Sequence, residues 1–531
     1  MIRRALVAVS CLSLAAASYA ESWQILGPRA MGMGGAGVAA AVGGVAQYWN
    51  PASLAQEATN AKWGVQIPVG VRGEFTGNTL KDANVLGDLA NKFSKIQNAQ
   101  TSGKALDANT IAAFAQGITA ISDMNEPGTG ALADVAGGAE FKIGRFNFSI
   151  NNFTSIGGDP SVDTTNIGLG GATGVTGINF SGVSAAAPAD TASRNQIQAA
   201  IDTIGFGNLN TLVCGSAACI SGVTQNPAIN NSLTLANALV NQAITNGASA
   251  TDIQNAATTL QQNAATAAPL VANAATGNAY TNNQTRLVVR GASFTELAMG
   301  YGHQVFVPGL LVGGNLKAIV GNVGYTRFDV LQNNTGSSNA LKDFRSNSKQ
   351  SVRPGIDAGV LWDVDQLVPV APFKPRLGIV ARNINNPKFD QPQIAIDNGE
   401  ASKYPLNSQV RAGLAITPAN FWNIAADFDL TKNLTPLPGY ASRMVGIGTE
   451  INVFNRSWIN IPLRAGLMKN IADSNSKLSY TAGFGANFLH CMLDVGGSIS
   501  SKTTEIKSGD TGTAQKVPEN ASLAVQLALM F

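Results

Sequence analysis

The 531-residue sequence carries 35 Lys and Arg against 32 Asp and Glu, with only 13% of residues charged, a balance that suggests neither nucleic acid nor an acidic substrate as a partner. With 45% hydrophobic residues and 57 glycines, the composition suits strands that are apolar on one face. After the first twenty positions no apolar run reaches the roughly 18 residues of an ordinary membrane-spanning helix, which excludes a helical anchor there.

Arg3 and Arg4 precede an apolar stretch from Ala5 to Ala17, and Ser18-Tyr19-Ala20 supplies the small residues that favour a cut between Ala20 and Glu21. Residues 1–20 therefore read as a secretory signal. Its loss leaves about 511 residues and a formal charge of about +1.

Residues 21–60 open on a glycine-rich run in which Gly32, Gly34 and Gly37 satisfy G-x-G-x-x-G. No strand feeds that turn, so a dinucleotide site is not expected. The run from Gly27 to Val38, including Gly35, followed by Gln47-Tyr48-Trp49-Asn50-Pro51-Ala52-Ser53-Leu54, resembles the N-terminal hatch of the FadL-type hydrophobic-compound transporters. The resemblance implies a fourteen-stranded barrel whose lumen holds this segment as a plug, with Asn50-Pro51-Ala52 shaping a turn and small residues permitting close packing.

From residue 61 onward, period-two alternation predicts strands near 62–76, 131–142, 146–156, 286–301, 309–329, 354–366, 375–384, 408–417, 422–431, 443–453, 459–469, 479–488, 492–501 and 520–531. Their connections alternate between brief ones, as at Gly144-Arg145 and Pro418 to Phe421, and long polar ones. That parity fits an all-β antiparallel transmembrane barrel with short turns at one end and external loops at the other. Aromatic residues, among them Tyr301, Trp362, Trp422, Trp458 and Phe488, gather beside the brief connections as an interface girdle would. The last strand places Leu523, Val525, Leu527, Leu529 and Phe531 on one face.

Two insertions, 81–122 and 187–275, break this rhythm with Ala, Asn, Gln and Thr at helical spacing. They read as helices decorating the external loops. Cys214 and Cys219 lie close together in the second, and an exported chain favours a disulfide between them. Cys491 is left unpaired and is expected to be buried near a strand start.

Strand parity puts Asp357, Arg376, Arg382, Arg411, Asp427, Asp429, Glu450 and Arg464 on the inward face, where opposite charges can pair or contact a ligand. The two histidines, His303 and His490, fall at short turns without a nucleophile, base or metal-ligand spacing around them. No enzyme activity, metal or cofactor is expected.

A narrower likeness covers about 350–531. Lys403-Tyr404-Pro405-Leu406, Gln409 to Leu414, Ala425 to Asn433, Gly446 to Glu450 and Leu463 to Gly466 are similar to barrel proteins labelled conjugal transfer protein TraF. The thioredoxin-like protein of the same name is a different molecule, since this sequence has no Cys-x-x-Cys. The FadL-type resemblance implies passive uptake of hydrophobic small molecules across the Gram-negative outer membrane. The narrower label implies instead a non-transporting accessory barrel working with conjugation or surface-assembly proteins.

Overall fold

The computed structural model describes residues 21–56, 62–86, 95–96, 98–99, 102–168, 180, 190–214, 229–276, 282–329, 344–456, 458–506 and 515–531. Ala20, Cys219 and the end of the 21–60 segment lie outside the described residues.

A single closed antiparallel barrel is built from β1 (Trp63–Thr76), β2 (Gly130–Ile143), β3 (Phe146–Ser161), β4 (Arg286–Gln304), β5 (Leu310–Asp329), β6 (Ser348–Asp363) and β7 (Arg376–Arg382). It continues through β8 (Gln409–Ala419), β9 (Trp422–Asp429), β10 (Met444–Asn455), β11 (Ile459–Asn470), β12 (Ser479–Phe488), β13 (Cys491–Ser500) and β14 (Asn520–Met530). Each strand pairs with its chain neighbour, and β1 closes on β14 in the register Gly64↔Met530 to Glu74↔Asn520. Closure leaves no unpaired edge, the condition for a sheet to cross a bilayer.

The exterior follows from alternation. Ile67, Val69 and Val71 of β1 and Leu523, Leu527 and Leu529 of β14 are exposed, while Gln66, Ala524, Gln526 and Ala528 between them are buried. A sheet with an apolar outside and polar inside is solvated by lipid on one face only. The seam at the short-turn end is completed by a stack, with the Phe531 ring 4.0 Å from Trp63 and 4.4 Å from His490. Trp63 and Phe531 also exchange backbone hydrogen bonds of 3.2 and 2.9 Å.

In two places the strand pattern departs from expectation. β6 starts at Ser348 rather than 354, because Pro354 sits inside the strand. Its nitrogen faces the side of β7, which ends at Arg382, so the missing N–H costs no ladder bond. There Asn385 substitutes for a strand, accepting from the Ile356 N–H (3.1 Å) and donating to the Pro354 carbonyl (2.8 Å). The chain leaves β7 through Asn383 at φ 52°, and the following loop forms a small hairpin, Lys388–Asp390 with Lys403–Pro405, instead of running free. Phe389, opposite Tyr404 in this hairpin, is fully buried against Phe294, Ile319 and Val323. Cys491 supplies the second departure. It begins β13 but is exposed, since it pairs with the outward Leu529 and shares its face.

The two insertions are helical: α3 (Thr79–Leu86) and α4 (Ala108–Met124), then α5 (Thr191–Ile204), α6 (Phe206–Cys214), α7 (Ser232–Thr245) and α8 (Ala250–Thr276). Their apolar stripes make a separate core that includes Phe114, Ile118, Ile197, Ile201, Leu239 and Leu260. Caps fix the starts, with Asp107 accepting from the Thr110 N–H at 2.8 Å and Asn231 from the Thr234 N–H at 2.9 Å. Pro269 is tolerated within α8 on its exposed face. No helix among the described residues is long and apolar enough to cross a membrane.

Candidate functional site

Residues from Glu21 to Gln56 are nearly all buried, packed against the inward faces of strands on both sides of the barrel. The segment contains α1 (Pro28–Gly32), α2 (Ala46–Trp49) and a 3-10 turn (Pro51–Ala55). Such short elements leave many backbone groups without intrahelical partners. Wall side chains take them up. Asp427 accepts from the Gly37 and Val38 N–H groups at 2.7 and 2.9 Å. The Thr481 hydroxyl accepts from Gly34 N–H and donates to the Gly32 carbonyl, both at 3.0 Å.

Glycine sets the distance of approach. A Cβ on Gly32 would stand 2.9 Å from the Cα of Gly483 in β12, so both backbones come together only without side chains. Gly34, at φ 70°, lies as close to the carbonyls of Ile447 and Leu467. Gly35 packs near Ile25, and a Cβ on Gly37 would overlap the Trp49 ring.

Asn50, Pro51 and Ala52 are buried beside β4, β5 and β6. Asn50 caps the 3-10 turn by accepting from the Ala52 N–H at 3.1 Å, and its amide donates to the Val360 carbonyl at 3.0 Å. Pro51 occupies the first turn, where an N–H has no intrahelical acceptor.

The inward charges form clusters rather than one centre. Glu450 accepts both Nε and Nη2 of Arg29 at 2.8 Å and Nε of Arg464 at 2.7 Å, while Arg464 reaches Asp494 at 2.6 Å. Arg411 pairs with Asp429 at 2.5 Å. Lys317 contacts Glu296 at 3.1 Å and Asp357 at 2.9 Å, and Arg382 contacts Glu296 at 3.0 Å. Arg376 pairs with Asp363 at 3.2 Å, farther from these groups. Among the described residues no group of His, Cys, Asp and Glu is arranged to hold a metal.

Two of these guanidiniums also grip aromatic rings of the N-terminal segment. Arg382 lies 4.1 Å from the Tyr48 ring centre and Arg411 lies 4.5 Å from that of Trp23. Tyr48 stacks on Phe153 of β3 at 5.0 Å, and Trp49 donates to the Leu26 carbonyl at 2.9 Å. Desolvated cation–π contacts contribute about 2 kcal/mol or more each.

Glu296, Lys317, Asp494, Arg29, Trp23 and Tyr48 were not singled out from the sequence. For Glu296 and Lys317 the signal was present, because each lies inward between outward neighbours such as Leu297 and Leu316. Arg29 and the aromatic residues gave no such signal, since the segment holding them has no strand period.

Among the cavities adjoining the segment, two lie toward opposite ends of the barrel. One of about 200 Å³ lies near the short turns, lined by Leu26, Val45 and Trp49 of the segment and by Pro462, Met492 and Met530 of the wall. The other, of about 340 Å³, opens among the long loops between Val323, Tyr325, Tyr404, Leu434 and Leu437, with Glu21 at its edge. Within the insertions, Cys214 is disulfide-bonded.

No curated protein matches the chain. Among solved structures it is similar to the Ralstonia pickettii toluene transporter TbuX, at 11% identity and TM-score 0.38, covering 96% of this chain and 99% of that one. The P. putida toluene transporter TodX gives 10% identity and TM-score 0.39 over 96% and 99%, and the CymD monoaromatic hydrocarbon channel 11% and 0.38 over 95% and 97%. A family model described as "F plasmid transfer operon, TraF, protein" matches residues 47–429. That match takes in most of the chain, which belongs to this TraF family.

Proposed function

We propose that this protein is a passive channel for hydrophobic small molecules in the Gram-negative outer membrane, with residues 21–60 as a hatch between an outer and an inner chamber. The observation that carries the reading is a cavity toward each end of the barrel, the inner one lined by Leu26 to Trp49 of that segment and the outer one bounded by its first residue, Glu21. An apolar molecule gains about 25 cal/mol for each Å² it hides from water. The outer cavity offers such surface on Leu434, Pro436 and Leu437. Passage then requires the segment to yield, and its hold on the wall is made of separable contacts: Arg29 on Glu450, Asp427 on two N–H groups, Thr481 on Gly32 and Gly34. Flow follows the concentration gradient, so no cofactor or catalytic step is needed.

Deletion of residues 27–52 with the signal retained tests this. In proteoliposomes the assembled deletion protein should show changed permeability to a hydrophobic dye and changed conductance. Unchanged flux and conductance would take the segment out of the mechanism.

A second reading is a non-transporting accessory barrel in conjugal transfer or surface assembly. The buried charge clusters favour it, because Lys317, Glu296, Asp357 and Arg382 occupy lumen that a permanently open path would leave clear. Absence of flux in both the complete and the deleted protein would favour this reading.

A further inference from the structure

Glu21 is 7% exposed and is held on two sides. Gln409 of β8 donates to its carbonyl oxygen, and the Tyr404 hydroxyl donates to Oε1. Its other carboxyl oxygen, Oε2, is buried and has no hydrogen-bond partner among the described residues. The Ser155 hydroxyl lies beside this carboxyl too, but its one proton goes to Asp134 at 2.6 Å.

The surroundings are short of positive charge. Asp134 pairs with Arg72 at 3.1 Å, and the same guanidinium also serves Glu74. Glu21 thus adds a buried carboxylate beside Asp134, whose one cation, Arg72, already serves Glu74 as well. Other cations near this end are engaged elsewhere: Arg290 by Asp159 and Glu400, Lys403 by Asp390, and Arg411 by Asp429. In the uncleaved chain burial pushes the Glu21 carboxyl up to about 8, with Asp134 adding to the rise and the Tyr404 and Ser155 hydroxyls opposing it. A buried carboxylate in that position is costly unless a cation joins it.

We infer that the missing cation is the α-ammonium that cleavage after Ala20 creates on Glu21 itself, seated among the Glu21 and Asp134 carboxylates and pinning the start of the N-terminal segment. The inference rests on the signal-cleavage reading and is independent of whether the barrel transports anything. The nitrogen concerned belongs to the residue whose carbonyl and carboxyl are both fixed, so it is delivered to the cluster by covalent connection. As an amide it offers one donor and no charge. After cleavage it offers three donors and a positive charge, and the carboxyl beside it returns toward its ionised form. Removal of the leader therefore completes the cluster as well as freeing the chain.

The test uses the full-length mature protein folded in detergent, its state confirmed by heat-modifiable mobility, and a pyridine carboxaldehyde reagent selective for α-amines, read by mass spectrometry. The mature mass should begin at Glu21, and folded protein should be labelled at least about tenfold more slowly than denatured protein, because reaction requires local opening. Glu21→Ala and, separately, Asp134→Asn should each restore most of that factor while the barrel stays folded. A mature chain starting elsewhere overturns the inference, as does labelling of folded protein at the denatured rate. Protection that survives in both variants also overturns it, because burial without charge pairing would then suffice. Dye flux is not read in this experiment, so its failure leaves the channel reading untouched.

Discussion

Gly446→Ala adds one methyl group to β10 and tests whether the wall and the N-terminal segment meet as described. The new Cβ would fall 2.9 Å from the carbonyl carbon of Gly34 and overlap its oxygen, while the nearest wall atom, the Leu467 carbonyl oxygen, is 3.6 Å away. The strain therefore falls on the segment and not on the sheet. Backbone meets methyl here, so no flexible side chain can swing aside. Overpacking of this kind costs about 1–3 kcal/mol, and roughly 1.4 kcal/mol is tenfold in an equilibrium. The seated fraction should drop by about five- to 150-fold relative to the displaced one. Gly73→Ala in β1 is the control, because its Cβ would meet nothing within 4 Å, and alanine there should be neutral or stabilising by up to about 1 kcal/mol. Limited proteolysis of the folded barrel reports the outcome: cleavage within 21–56 should accelerate in Gly446→Ala alone. Equal protection of both variants would refute the packing argument.

Trp63→Ala removes one side of the stack on Phe531 and should lower the temperature at which the heat-modifiable form is lost. Deleting Phe531 should impair assembly more severely, because the seam then also loses the backbone pair with Trp63. Either barrel assembling with wild-type yield and stability would count against the seam. Peptide mapping without reductant should recover Cys214 joined to Cys219, with little effect on barrel stability on reduction, since the closed loop is short and outside the sheet; finding Cys219 free would reassign the pair. Asp82 in α3 is buried, and burial with Asp123 nearby pushes its carboxyl up to about 7. A carboxyl raised above its unfolded value binds more protons when folded, so α3 should lose stability as pH rises from about 4 to 7 and change little above that. Protection from hydrogen exchange over 79–86, taken relative to the intrinsic rate at each pH, should fall across that window in wild-type but not in Asp82→Asn.

The clusters of paired charge and a moving segment are compatible for a physical reason. Most inward charges are paired strand to strand: Arg411 with Asp429, Arg464 with Asp494, Lys317 with Asp357. These pairs stay satisfied whatever the segment does. Glu450 is the exception, shared between wall Arg464 and segment Arg29. Withdrawal of Arg29 leaves Glu450 hydrogen-bonded to Arg464, but that guanidinium then serves both Glu450 and Asp494, so part of the roughly 3–5 kcal/mol typical of stranding a buried charge is incurred. Asp427 behaves differently: its Oδ2 accepts two segment N–H groups, and moving the segment would leave that carboxylate leaning on the nearby Arg411. Most of the wall is thus paired without the segment, while Glu450 and Asp427 both favour its presence.

Alternation explains why so much of the barrel was legible. Lipid on one face and a packed lumen on the other demand period two, and β9 states it plainly, with Ile424 and Phe428 outward and Asp427 and Asp429 inward. The same demand made the inward charges readable, but not their partners: nothing local tells Glu450 that it will meet Arg29 from 421 positions away. Pro354 misled because a proline normally marks a strand boundary, and its tolerance depends on how far β7 extends, which is a property of the neighbouring chain. Phe389 in a polar loop carried no period at all, yet it fills the mouth beside Phe294 at 4.8 Å. Cys491 was misplaced by treating a small apolar residue as buried. On a barrel the outward face is where such residues belong, and its pairing with Leu529 puts it there.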